Sequence, residues 1–285
     1  MLLRETTEVF NLLSIGQRGV GKTVFLAGSY TELRTSGITD SRLPLWFDCK
    51  DSQSQQNIEK ILGYIERTGA YPPGTMKITD FDFRLKRRGL MRPVTLCDFR
   101  LQDLPGESCH IANPAFRQIV LGSHGCCVCI DGYALIHSDT YLDELRDVLV
   151  QVLSIASLVH LNGLKYAFAL LLTKSDLLGE IPDSEAQIRQ KLQPLTNRLD
   201  AIGSNYQIFR TGVPLVHEGE GVRLAPSGAA APLLWLVLEL NRAHNPGVLG
   251  SLFRLVRRLL PRRLQGRSES PLQNLFGSTA ASQDS

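Results

Sequence analysis

Gly16-Gln17-Arg18-Gly19-Val20-Gly21-Lys22-Thr23 has the spacing of a loop that wraps phosphates with its backbone N–H groups. Its surroundings suit that use. The apolar run Val9 to Ile15 precedes it and predicts a strand; Thr23 to Leu33 follows and predicts a helix. The glycines let the backbone approach a phosphate with no Cβ in the way. The start of the helix adds its dipole, Lys22 can reach the β- and γ-phosphates of a nucleotide, and the Thr23 hydroxyl can ligate Mg²⁺. A chance match in an unrelated strand–turn–helix is the competing reading, and the flanking pattern argues against it.

The rest of the chain continues the alternation. Ile58, Ile61, Leu62 and Ile65 recur at helical spacing, and the helix they mark ends near Gly69. Ile78 to Leu85 and Val94 to Asp103 read as strands, antiparallel to each other across a hairpin connection, Arg87 to Pro93. Gly125 to Asp131 is nearly all apolar, as expected of a strand covered by helices on both faces. A long helix then carries Leu142, Leu145, Val148, Leu149, Val152 and Leu153, with Ser138 as N-cap and Asn162-Gly163 as stop. Strands Tyr166 to Leu172 and Tyr206 to Arg210 flank a polar helix, Ser184 to Ile202, and a last core helix covers Ala230 to Leu240. Thr35 to Asp51 reads as polar loop. The expected fold is α/β: a three-layer P-loop NTPase arrangement with a mostly parallel six-stranded sheet, one strand antiparallel, and helices on both faces. The loop after the first strand then lies at the carboxyl end of the sheet, where ligands bind.

Composition sets the class. The 285 residues carry a net charge of +3, but Asn241 to Ser285 alone holds seven arginines against Glu269 and Asp284. The globular part is therefore slightly acidic, which does not suggest a nucleic-acid-binding core. No apolar run reaches membrane-span length and the first residues lack the order of a signal peptide, so the expected compartment is the cytoplasm. Cys126, Cys127 and Cys129 fall in an apolar strand and read as core packing, not as metal ligands or disulfides.

Two later segments bear on the ligand. Asp103-Leu104-Pro105-Gly106-Glu107 closes a strand expected beside the first, which puts Asp103 near Thr23. An aspartate there can hold Mg²⁺, and the Gly106 amide can donate to a γ-phosphate. Thr173-Lys174-Ser175-Asp176 closes another strand. A carboxylate at Asp176 can accept both N1–H and N2–H of guanine, whereas adenine presents an acceptor at N1. The stem of Lys174 can lie along the base. The plainer readings are a strand-to-loop turn at Asp103 and a helix cap at Asp176.

Together these segments resemble the GTPase signature set over about Val9 to Leu240. Gly16 to Thr23 matches the phosphate loop, Asp103 to Gly106 matches Asp-x-x-Gly, and Thr173 to Asp176 resembles Asn-Lys-x-Asp with Thr in place of Asn, a variant some large GTPases carry. Within GTPases the chain resembles the bacterial double-GTPase-type domains of conflict and defence systems. It does so through Asp-x-Pro-Gly-Glu, the long helical insertion after the phosphate loop, Pro72-Pro73-Gly74-Thr75, and Pro232-Leu233-Leu234-Trp235.

The resemblance implies GTP or GDP and Mg²⁺ as ligands. Gly16, Arg18, Gly19, Val20, Gly21, Lys22, Thr23, Gly106, Thr173, Lys174, Asp176 and Thr211 would contact nucleotide, the last in a weak match to the guanine-backing loop. Thr23, Asp103 and Thr75 would serve the metal, with Thr39 and Thr79 competing for the switch role of Thr75. Glu107 stands where many GTPases carry a water-positioning Gln; with Lys22 and Thr75 it would make up the catalytic set. Its charge beside a γ-phosphate implies slow hydrolysis or a loop-ordering role. His110 is a secondary candidate. Arg18 could neutralise transition-state charge, obstruct a partner's arginine, or point to solvent.

The expected organisation is a GTPase-like domain over 1–243, a basic amphipathic helix over 244–263 and a disordered tail over 264–285. Leu249, Leu252, Phe253, Val256, Leu259 and Leu260 share one face of that helix, with Arg254, Arg257 and Arg258 toward the other. Packing on the domain, a protein partner's groove, and peripheral contact with an anionic membrane through 247–263 all suit it. A protein partner is expected; the oligomeric state is open.

Overall fold

Alternation along the strands sorts apolar side chains onto two faces, and each face meets its own set of helices. The computed structural model describes residues 9–39, 45–74, 77–88, 92–105, 109–179, 184–219 and 221–244. The strands of the main sheet are β1 (Val9–Ile15), β2 (Leu45–Cys49), β3 (Thr79–Arg87), β4 (Val94–Asp103), β5 (Gly125–Asp131), β6 (Ala167–Thr173) and β7 (Asn205–Arg210). The helices are α1 (Lys22–Thr39), α2 (Ser52–Thr68), α3 (Pro114–Leu121), α4 (Gly132–His137), α5 (Tyr141–Leu161), α6 (Ser184–Ile202) and α7 (Ala230–His244). The spatial order is β2-β3-β4-β1-β5-β6-β7. β3 runs antiparallel to both β2 and β4, and the remaining pairs are parallel.

On one face Leu12, Phe83, Phe99, Cys127, Cys129 and Leu171 pack against Phe25 and Tyr30 of α1, Ile58 of α2 and Leu233 and Val237 of α7. On the other, Leu13, Cys126, Val128, Ile130 and Leu170 meet Phe116 of α3, Leu135 of α4, Val152 of α5 and Leu192 of α6. This is the three-layer P-loop NTPase fold, with β1 central and its following loop at the carboxyl edge of the sheet. The outward face of β3 and β4 carries ion pairs instead: Asp82 with Arg100 at 2.9 Å, and Asp98 with Lys50 at 2.8 Å and Arg84 at 3.2 Å. Cross-strand pairs of opposite charge let that half of the sheet face water.

The sheet has seven strands rather than the expected six. The added strand, β2, lies inside the stretch read as polar loop. Leu45 and Phe47 are buried in the core while Trp46 and Asp48 are not, and β2 pairs with β3 from Leu45↔Arg87 to Cys49↔Phe83. Five residues at a sheet edge give too little alternation to stand out, and long-range pairing decides the matter. A second departure is a separate hairpin, β8 (Leu215–Glu218) with β9 (Gly221–Leu224), between β7 and α7. A third is Ser138. It ends the short helix α4, which Asp131 caps, and α5 begins after Thr140. The antiparallel pairing of β3 and β4 is as expected, although residues 89–91 of their connection lie outside the described set.

Glu32 ties the first helix to the last. Its carboxylate accepts the N–H groups of Gly228 at 2.8 Å and Ala230 at 2.6 Å, where the N-terminus of α7 leaves donors without intrahelical partners. Among the described residues no helix is long and apolar enough to cross a membrane.

Candidate functional site

The loop between β1 and α1 is shaped by crowding as much as by flexibility. Gly16 sits at φ 143°, and a Cβ there would fall 2.5 Å from the Cys129 carbonyl oxygen of β5. Val20 is 3% exposed and turns its side chain into the core, so only its backbone faces the loop's interior. The Lys22 ammonium lies across the loop and donates to the carbonyls of Gly16 and Gln17, each at 2.9 Å. The loop is thus held open around one buried cation.

At the next residue, the Thr23 hydroxyl donates to Asp103 Oδ2 at 2.8 Å. The register explains the meeting: Ser14 of β1 stands opposite Asp103 at the end of β4. Thr23 and Asp103 offer a hydroxyl and a carboxylate at the phosphate end of the loop, hard oxygen donors of the kind Mg²⁺ takes beside phosphates.

A cleft of about 280 Å³ opens from this loop. Its floor is Gly19, Gly21, Lys22 and Thr23, with Val24 and Phe25 of α1. Thr173, Lys174, Asp176 and Leu177 form one wall, Thr211 and Val213 another, and Arg18 with Tyr71 to Gly74 a third. Sequence-distant segments meet because their strands lie side by side: β5 with β6, and β6 with β7. Gly28 in α1 makes room for the last wall, since a Cβ there would come within 2.8 Å of Val213 Cγ2. A mid-helix glycine costs about 1 kcal/mol against alanine, and here it admits a neighbouring loop.

The residues after β6 line the cleft together but are held in different ways. Thr173 is 4% exposed, and its hydroxyl lies 2.7 Å from the Val20 carbonyl and 3.0 Å from that of Ile130. One hydroxyl proton is shared by two backbone acceptors, one in the phosphate loop and one in β5. Thr173 therefore joins the loop to the sheet, and its hydroxyl is not turned to a base. Lys174 adopts φ 54°, the one positive φ outside glycine among the described residues. Its ammonium meets Asp131 Oδ2 at 2.5 Å, while Asp131 Oδ1 accepts the Ala134 N–H and caps α4. Asp176, in the 3₁₀ turn Ser175–Leu178, is exposed on the cleft wall and lies against Gly212. Thr211 is 1% exposed and braces this wall, with its N–H on the Leu172 carbonyl and its own carbonyl taking the Ser175 N–H.

Arg18 is exposed at the cleft mouth, its aliphatic stem against Gly74. Thr75, Gly106 and Glu107 lie outside the described residues. Of the competing threonines, Thr39 is the last residue of α1. Thr79 opens β3 directly opposite Asp103, with its hydroxyl 3.3 Å from the Lys77 carbonyl. His110 is exposed.

Sequence reasoning missed Asp131 and Tyr71, while Val213 belongs to the segment Thr211-Gly212-Val213 that the sequence already offered as a weak match to a base-backing loop. Asp131 reads only as the last residue of a strand, and its N–H donates to the Tyr141 hydroxyl at 2.8 Å. Tyr71 lines the cleft and donates from its hydroxyl to the Val213 carbonyl at 2.8 Å. Burial and the nearby Asp176 carboxylate both push the Tyr71 phenol above its ordinary pKa.

No protein-family model and no curated protein matches the chain. Among solved structures it is similar to the GTPase-like domain of Ski7 from S. cerevisiae, bound to GTP, at 16% identity and TM-score 0.48, over 87% of this chain and 52% of that one. It is also similar to an ADP-ribosylation-factor-like GTP-binding protein, the small COPII coat GTPase SAR1 from Encephalitozoon cuniculi in complex with GDP, at 15% identity and TM-score 0.39, over 83% and 82%. The chain spans about half the length of the Ski7 structure.

Proposed function

We propose that the chain is a GTP-binding switch that hydrolyses GTP slowly with Mg²⁺ and acts through a protein partner. The observation that carries this reading is the convergence of Lys22, Thr23 and Asp176 on one cleft, with Asp103 hydrogen-bonded to the Thr23 hydroxyl. The spacing runs from a phosphate-wrapping loop at one end to a carboxylate on the opposite wall, the order a purine nucleoside triphosphate requires. Lys22 would exchange its two carbonyl partners for phosphate oxygens. Thr23 and Asp103 would hold Mg²⁺, which supplies charge neutralisation at the phosphates. Asp176 would accept the two N–H groups of guanine. ATP would bring an acceptor at that point and leave the carboxylate unpaired, which makes an ATPase of the same superfamily the weaker reading.

In this reading Glu107 orients the attacking water and Thr75 senses the γ-phosphate. Hydrolysis is slow because a carboxylate beside the γ-phosphate opposes the charge already there. The same feature favours the alternative, a nucleotide-holding scaffold without turnover, and single-turnover hydrolysis by wild type and Glu107→Ala separates the two. The partner is proposed to be a co-encoded protein, an effector or a second GTPase, in a bacterial multi-protein system. Residues 245–263 would offer it, or an anionic membrane, a basic amphipathic surface; they and the proposed tail, 264–285, lie outside the described residues.

The deciding experiment is calorimetry of GTP, GDP and ATP with Mg²⁺, with Lys22→Ala as the blank. Guanine-selective heat that vanishes in the blank supports the reading. ATP preference, or no binding by the folded chain, overturns it.

A further inference from the structure

We propose that residues 69–74 form a strap across the cleft, latched by the Tyr71–Val213 hydrogen bond, and that unlatching sets how fast nucleotide enters and leaves. The proposal rests on the guanine-nucleotide reading of the cleft. Its physical basis is a set of contacts that the phosphate loop and base-side wall do not need for themselves.

The strap begins where α2 stops. Gly69 takes a left-handed conformation at φ 63°, its N–H on the Ile65 carbonyl at 2.8 Å, and turns the chain out of the helix. Pro72 and Pro73 follow. They carry no N–H to pair with a strand and hold the backbone extended and stiff. The strap thus moves as a short rod, not as a string of independent residues.

Each end of the rod touches one end of the cleft. At the phosphate end Gly74 sits on the Arg18 stem, where a Cβ would fall 3.2 Å from Arg18 Cγ. At the other end the Tyr71 hydroxyl donates to Val213, 142 residues away, at 2.8 Å. Val213 belongs to the wall beside Asp176. Two residues on, Leu215 opens the β8–β9 hairpin, and that hairpin returns to the root of the strap. β9 packs along α2, and Gly69 faces Val222 Cγ2 at 3.6 Å from its ideal Cβ position. The hairpin, an addition to the three-layer fold, therefore fixes both the acceptor of the latch and the base of the rod.

The latch itself is weak. Tyr71 is 45% exposed, so water competes for its hydroxyl. A single hydrogen bond of this kind shifts an equilibrium by roughly three- to tenfold. That magnitude suits a gate that opens on its own and that a partner could hold open through the hairpin.

The test is stopped-flow association and release of a fluorescent N-methylanthraniloyl GDP with the full chain, comparing wild type, Tyr71→Phe and Tyr206→Phe. Tyr206 donates to the Asp200 carboxylate at 3.0 Å from the edge strand β7, where it does not line the cleft, and serves as the control. The expected result is that Tyr71→Phe raises both the association and the release rate constants, roughly three- to tenfold, with affinity nearly unchanged, while Tyr206→Phe matches wild type. Faster release alone would make Tyr71 a wall contact and overturn the gate, as would rates equal to wild type. Absence of any signal from wild-type protein overturns the nucleotide reading itself, and the strap with it.

Discussion

The Thr23 hydroxyl and Asp103 Oδ2 lie 2.8 Å apart, although 80 residues separate them. Asp103 is 2% exposed, and it reaches the phosphate loop because β4 is the parallel neighbour of β1. A buried carboxylate set against a threonine hydroxyl at the start of a helix is a costly arrangement for stability alone. It is well suited to meeting a cation. Asp103→Asn keeps an oxygen for the threonine and removes the charge. The expected outcome is a loss of roughly ten- to hundredfold in Mg²⁺-dependent GTP affinity, with affinity in EDTA little changed. Calorimetry with and without Mg²⁺ measures it, and an equal loss in both conditions would contradict a metal-holding role.

Asp176 stands exposed on the cleft wall, while Lys174 is tied back to Asp131. Asp176→Asn turns one acceptor into a donor. Guanine then faces a donor opposite its own N–H, while xanthine offers a carbonyl. The expected result is a fall in GDP affinity of roughly hundredfold or more and a gain for XDP, because a site built for a specific hydrogen-bond pattern rejects its inverse strongly. Competition of the two nucleotides at equilibrium reads this directly.

How much of this was legible in the sequence follows from the range of the interactions involved. The elements Val94–Asp103, Gly125–Asp131 and Ser184–Ile202 stand where their patterns place them, since long apolar alternation, a continuous apolar run and a helical repeat are local signals. The turn from β1 into α1 was legible for the same reason. β2 was not, because five edge residues gain their strand character from β3 alone. The β8–β9 hairpin was too short to stand out. In the site, the residue types were readable but their tasks were not. The sequence gives no sign that the Thr173 hydroxyl lies against the Val20 and Ile130 carbonyls, since those partners stand on other segments of the fold. The Tyr71–Val213 contact has no local trace, since neither residue signals a partner across the fold.

The core thiols make the fold sensitive to base. Burial pushes Cys129 up to about 12 from an ordinary 9.0, and Cys126 and Cys127 well above it. In the unfolded chain these groups ionise near 9. Above that pH the unfolded state has released protons that the folded state still holds, so stability falls as pH rises. The stabilisation is full below about pH 9 and is progressively lost toward pH 12. Denaturant midpoints should be flat from neutral to pH 8.5 and decline beyond it. The same burial predicts that native protein at pH 8 leaves these three thiols unmodified by a maleimide, while unfolded protein reacts at all of them.

Thr173→Val tests whether the Thr173 hydroxyl is a bracket that ties the loop after β1 to the sheet. The two side chains have nearly the same shape, so packing is conserved and only the hydroxyl is lost. Two carbonyls, Val20 in the loop and Ile130 in β5, then lose a donor in an interior where water does not enter freely. The cost expected for leaving such groups short of a partner is about 1–3 kcal/mol. For a domain of this size that corresponds to a fall in melting temperature of roughly 2–4 °C per kcal/mol. Nucleotide affinity should weaken for GTP and ATP alike, because the damage is to the loop and not to base selection. A variant that melts like wild type, or one that loses discrimination between guanine and adenine, would instead place the Thr173 hydroxyl on the base.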